Sequence, residues 1–116
     1  MICKWNFANA QTLTEDELLT LFTDAKERLF LNGWTAGMWR RSGTSGMCIE
    51  EAITGCRVTG SGPWDIKNPQ VEQILRTAIW GDHEGFAEAW MWNDNDASGL
   101  SEVIDVLDRC LEIVKS

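Results

Sequence analysis

The sequence predicts a mainly α-helical chain, a compact bundle of three to four helices with a small hairpin or short strands beside it, so that an α+β variant stays open. Three observations carry this. Apolar residues recur at helical spacing in three separate stretches, start and stop signals bracket them, and 44% hydrophobic with 24% charged residues is an ordinary globular mixture. The 116 residues fit one domain spanning 1–116. A chain of this length buries roughly two thirds of the surface it exposes when unfolded, enough for one core. Seven tryptophans and four phenylalanines supply the apolar surface that a disordered chain lacks.

Residues 1–12 read as an N-terminal arm or a short strand, Ile2 to Phe7 carrying the apolar content. Thr14-Glu15-Asp16-Glu17 is a capping box, and its three acids suit the positive end of a helix dipole. Leu18, Phe22, Ala25 and Leu29 form the buried stripe of the helix that follows, and Asn32-Gly33 stops it. Residues 34–47 hold Trp34, Trp39, Arg40, Arg41 and the run Ser42-Gly43-Thr44-Ser45-Gly46, which reads as a hairpin-like excursion with a glycine-rich turn. A short helix is expected from about Cys48 to Thr54, ended by Gly55, and then a loop over 57–68. Asn68-Pro69 opens the next helix with a side-chain cap and a proline in the first turn. Val71, Ile74, Leu75, Ala78 and Ile79 make its apolar face, and Gly81 ends it. Residues 84–92 stay open: Phe86 and Trp90 suit a helix, Trp90 and Trp92 a strand. The last helix starts near Ser98 to Ser101 and runs to about Val114, with Val103, Ile104, Leu107, Cys110, Leu111 and Val114 inward.

The net charge of −8 is unevenly placed. Residues 1–81 hold nine acids and eight bases, whereas residues 82–116 hold nine acids with only Arg109 and Lys115 as bases. Such an acidic end repels phosphate backbones and anionic lipid, so neither nucleic acid nor membrane is an expected partner. It suits a basic protein partner or mimicry of a phosphate backbone, or serves solubility alone, the plainer reading. No apolar run approaches the 20 or so residues of a membrane span. Met1-Ile2-Cys3-Lys4-Trp5-Asn6 lacks the pattern of a secretion signal, so the expected compartment is the cytoplasm, with the four cysteines as thiols. Cys48 and Cys56 would sit about 12 Å apart at the ends of a short helix, too far for a disulfide.

The best site-like match is Asp94-Asn95-Asp96-Ala97-Ser98-Gly99, which has the alternating oxygen ligands and sixth-position glycine of a calcium loop. Asp94, Asp96, Ser98 and Asp105 are its candidate ligands, with Glu102 at the ninth place. Asp105, at the twelfth, is too short for the usual bidentate glutamate, and Ser101 stands where such loops carry an apolar residue. The competing reading, an Asx-rich turn capping the final helix, fits better. Zinc would need cysteines or histidines at close paired spacing; His83 is the only histidine and no cysteine pair is close. Cys48 at a helix start could have a lowered pKa, and His83 between Asp82 and Glu84 could act as a base, but nothing in the sequence brings them together, so no catalytic residue is assigned. The glycine-rich run with Arg40, Arg41 and Arg57 lacks the Gly-Lys-Ser/Thr ending of a phosphate loop and reads as a turn with solvated arginines. Seven indoles exceed what a core this size houses completely, so some should reach the surface. Trp39 beside Arg40, and Trp90 with Met91 and Trp92, have the composition of an interface; partial burial with the indole N–H in water is the equal alternative.

Three stretches together resemble a family of small uncharacterised proteins of actinobacteria and their phages, classed as a domain of unknown function. They are the helix ending in Asn32-Gly33-Trp34, the entry Gly46-Met47-Cys48-Ile49 with Ala52, and Trp92-Asn93-Asp94 followed by a capped helix with Val103 and Leu107. The resemblance spans about residues 18–114, and Trp-Asn-Asp is its most specific part. Relatives continue with a Pro-Gly-Arg-Thr-like turn where this chain has Asn95-Asp96-Ala97-Ser98-Gly99, so the calcium-like pattern is local variation. The resemblance implies a shared helical fold and structural roles for Gly33, Trp34, Cys48, Ala52, Trp92, Asn93 and Asp94, with Trp92 plugging the core and Asn93 and Asp94 bonding amides of the next turn. A ligand pocket at that turn is the alternative.

No substrate is legible. The expected function is that of a non-catalytic protein-interaction or accessory protein of a phage or mobile element, working in the cytoplasm without a cofactor. Trp39, Trp90, Trp92, Asp94 and Asp96 are the candidate contact residues, and the partner is a host protein or a second copy. The alternative is a small-ligand- or calcium-binding protein or enzyme centred on Trp92–Asp96.

Overall fold

A computed structural model of the chain describes residues 12–35, 47–55, 66, 68–81, 92 and 97–116. Four helices lie among them: α1 (Glu15–Asn32), α2 (Ile49–Thr54), α3 (Pro69–Trp80) and α4 (Leu100–Lys115). Their boundaries follow from local chemistry. At the start of α1 the Thr14 hydroxyl accepts from the Glu17 N–H at 3.1 Å, while Glu17 Oε1 accepts from the Thr14 N–H at 2.9 Å. Asn68 Oδ1 takes the N–H groups of Gln70 and Val71 at 2.9 and 3.2 Å, and Pro69 needs no donor partner in the first turn of α3. α1 ends where Gly33 turns to φ 82° and donates its N–H to Leu29 O at 2.8 Å. That backbone angle is costly for any residue with a Cβ. α4 begins at Leu100, and Ser98 Oγ donates to Glu102 Oε2 at 3.2 Å beside its first turn.

α4 occupies the middle of the bundle, packing against both α1 and α3, and α2 packs on α1. The core joins Leu18, Leu21, Phe22, Ala25 and Leu29 of α1 to Val71, Leu75 and Ala78 of α3 and to Val103, Val106, Leu107 and Cys110 of α4. Fully burying a side chain such as Phe22 or Leu107 stabilises the fold by about 1.5–3 kcal/mol. The radius of gyration, 12.9 Å, is that of a compact globule. Three polar ties fix the helices to one another. Gln70 of α3 both accepts from the Leu13 N–H and donates to Leu13 O, at 3.0 and 3.1 Å. Arg28 of α1 donates to Ala52 O in α2 at 2.6 Å. Lys26 of α1 forms an ion pair with Asp108 of α4.

There is no sheet among the described residues. Trp34 and Met47 meet in one isolated parallel bridge, with Met47 N–H to Gly33 O at 2.9 Å and Thr35 N–H to Met47 O at 3.0 Å. The hairpin expected over 34–47 needs antiparallel arms, and its two described ends run parallel instead. Residues 36–46, the expected N-terminal arm or strand (apart from Thr12) and most of 84–92 lie outside the described residues.

Candidate functional site

Two places depart from an ordinary amphipathic bundle. The first is α2. All six of its residues are buried, including Glu50 and Glu51 at 3% and 1% exposure and Thr54 at its end, and Asn68 before α3 is buried as well. A buried carboxylate is costly unless it is hydrogen-bonded, and Glu51 is: its Oε1 accepts from the Cys48 N–H at 2.9 Å. This repeats the α1 device with cysteine in place of threonine. Burial pushes the Cys48 thiol well above its usual pKa, helped by the Glu51 charge and only partly opposed by backbone N–H groups. The lowered pKa considered for this helix start is therefore overturned: desolvation outweighs the weak dipole of a six-residue helix. Cys110, fully buried in α4, is pushed up to about 12 by burial, against the Arg109 charge. Neither thiol supplies a thiolate nucleophile near neutral pH.

The second place is the carboxyl end of α1. Phe30 and Leu31 are 64% and 84% exposed, the large hydrophobic side chains left in water among the described residues. They lie about 100° and 200° round the helix from the fully buried Leu29. Next to them Arg28 is half-buried; burial lowers its pKa, while Asp24 and Glu27 act the other way.

The residues singled out from sequence fall as follows. Trp92 is 8% exposed and belongs to the core, and its carbonyl accepts from the Ala97 N–H at 2.9 Å. Trp34 and Trp80 pack partly buried against the same core. Gly33 terminates α1, Cys48 caps α2, and Ala52 is wholly buried while its carbonyl takes Arg28. Of the calcium candidates, Asp105 is exposed on α4 and Ser98 is exposed and bonded to Glu102. Among the described residues, no three or more His, Cys, Asp or Glu side chains converge as a metal site. Trp39, Trp90, Asn93, Asp94 and Asp96, with His83, Arg40, Arg41 and Arg57, lie outside the described residues.

The sequence reading missed both unusual places. Nothing in the residue types of Glu50-Glu51 marks them as buried, because their burial depends on how α2 is enclosed. Phe30 and Leu31 did carry a signal, because they fall off the stripe defined by Leu18, Phe22, Ala25 and Leu29.

In comparison with known proteins, the model of a family described as "Family of unknown function (DUF6197)" matches residues 13–112. Neither a curated protein nor a solved structure matches the chain.

Proposed function

Since the chain belongs to the DUF6197 family, whose function is unknown, we propose that it works as a non-catalytic protein-interaction module. The observation that carries this reading is the exposed pair Phe30–Leu31 on a helix whose opposite side is fully packed. Covering two such side chains on binding is worth up to about 2 kcal/mol each, and together they form an apolar patch at one end of an otherwise polar helix face. The protonated thiols of Cys48 and Cys110 support the non-catalytic part of the reading. In the finer form of the proposal, the protein is an accessory protein of a phage or mobile element, one domain acting in the cytoplasm on a host protein or a second copy. No described helix is long and apolar enough to cross a membrane.

The test is affinity capture from cells with wild type and Phe30→Ser/Leu31→Ser in parallel, with light scattering on both. Wild type should recover a partner that the double variant recovers at least tenfold less, while the thermal midpoints agree within about 2 °C. Equal recovery by the two proteins would sink this surface as the contact site.

A further inference from the structure

Six of the seven exposed residues of α1 fall on one line, and Glu15 at the start of the helix stands off it. Asp16, Thr20, Thr23, Glu27, Phe30 and Leu31 follow one another at three- and four-residue intervals, save for the final adjacent pair, and all are solvent-exposed. Side chains at that spacing are neighbours on a helix surface. The stripe therefore runs from acid and threonine to an apolar end. It holds no cation, and the structure shows where the two cations of α1 go instead. Lys26 reaches across to Asp108 of α4, and Arg28 is directed at Ala52 O of α2.

The apolar pair also lies in the last turn of α1, which contains no basic residue. The carboxyl end of a helix carries a partial negative charge, ordinarily offset by Lys or Arg in that turn. Here the helix dipole and Glu27 add up beside Phe30 and Leu31 with no positive side chain of α1 facing out to balance them.

Resting on the interaction-module reading above, we infer that this stripe docks a partner protein through a cationic amphipathic segment, with an apolar anchor over Phe30 and Leu31 and a lysine or arginine beside Glu27 and the helix end. The charge pattern selects this occupant. A second copy of the same chain brings a net charge of −8 to an acidic stripe, and like charges brought together at an interface are penalised. An acidic segment is rejected for the same reason. The mode is a helix or extended segment laid along a helix face, with the apolar end giving affinity and the acidic end giving orientation and on-rate.

The probes are a fluorescein-labelled amphipathic peptide of leucine and lysine and its leucine–glutamate counterpart, titrated into the full chain. The leucine–lysine peptide should bind wild type, bind Phe30→Ser/Leu31→Ser at least tenfold more weakly, bind Glu27→Lys about threefold more weakly, and lose affinity with added salt; the glutamate peptide should not bind. Thermal melting of each variant confirms that it is folded. No binding of the lysine peptide, or equal binding to the serine double variant, overturns the assignment, because the second result means adhesion to net charge alone. A photo-crosslinking amino acid at position 31, used in cells, separates this inference from the reading beneath it. A cross-linked partner displaced by the lysine peptide supports both. A partner that the peptide does not displace, or a product of two copies, leaves the module reading standing and overturns the cationic segment. No product overturns the module reading and this inference with it.

Discussion

α1 and α2 begin with the same backbone device in opposite surroundings. Before α1, Thr14 and Glu17 exchange side chain for backbone in water, and both bonds are exposed. Before α2, Cys48 and Glu51 do so inside the core, at 6% and 1% exposure. In water a lost cap bond is replaced by a bond to solvent, so the net worth is small. In the core the amide left behind has no solvent to turn to and bears its full desolvation cost. The partner residue differs accordingly. A threonine hydroxyl is the stronger acceptor where water competes. A cysteine, a weak acceptor but a small apolar body, suits a cap enclosed by side chains.

Glu51→Ala separates the buried helix start from the exposed one most clearly. It leaves the Cys48 N–H without its carboxylate acceptor and opens a cavity in the core, so the expected cost is about 3 kcal/mol. Urea unfolding with an unchanged m value measures it. Glu51→Gln keeps an oxygen for that N–H and should lose less than half as much. A cost for Glu51→Ala near that of an exposed cap would mean that burial does not separate the two boxes. Asn68→Ala comes next, at about 2 kcal/mol. Its side chain is buried at 1% exposure and holds two amides of α3.

These two predictions also mark what the sequence could and could not tell. The Asn68-Pro69 start of α3, the Thr14 start of α1 and the Gly33, Gly55 and Gly81 stops are written in residue type, because capping is local chemistry. The last helix, expected from Ser98–Ser101 to Val114, runs Leu100–Lys115 for the same reason. The interior of α2 was not legible. Nothing within six residues reveals that Glu50 and Glu51 are enclosed, since burial is set by what packs around α2, α1 among it. The parallel bridge itself joins residues 13 apart through segments whose turn chemistry reads as a hairpin. The exposed end of α1 lies between these cases: the stripe geometry contains it, but only once the angular place of Phe30 and Leu31 is worked out.

Cys110 sharpens the comparison from a different side, by placing an ionisable group where α1 and α3 enclose α4. Its folded-state pKa, about 12, lies above the ordinary value of 9.0. The protonated thiol is thus favoured in the folded state, and the contribution is fully present below pH 9. As pH rises past 9 the unfolded thiol ionises while the folded one does not, so stability falls progressively up to about pH 12. At pH 10 the loss from this one group is about 1 kcal/mol. Denaturant unfolding of wild type and Cys110→Ala at pH 8 and pH 10 isolates it. The alanine variant is less stable at both pH values for lack of packing, but its decline between them should be shallower by that amount. Parallel declines would mean that the buried thiol is not the cause.

The smallest expected effect belongs to the exposed box. Thr14→Ala removes the hydroxyl that takes the Glu17 N–H, and water takes its place, so the cost should be about 0.5 kcal/mol, the low end for an N-cap. Thr14→Ser keeps the oxygen and should be neutral within about 0.3 kcal/mol. Glu51→Ala should exceed Thr14→Ala roughly sixfold, because the first strips a buried amide of its carboxylate and opens a cavity, whereas the second removes an exposed hydroxyl that water replaces. A Thr14→Ala cost near 2 kcal/mol would instead mean that this end of α1 is held as tightly as the core. The Leu13–Gln70 pair one residue away would then have to be counted as part of the same buried unit.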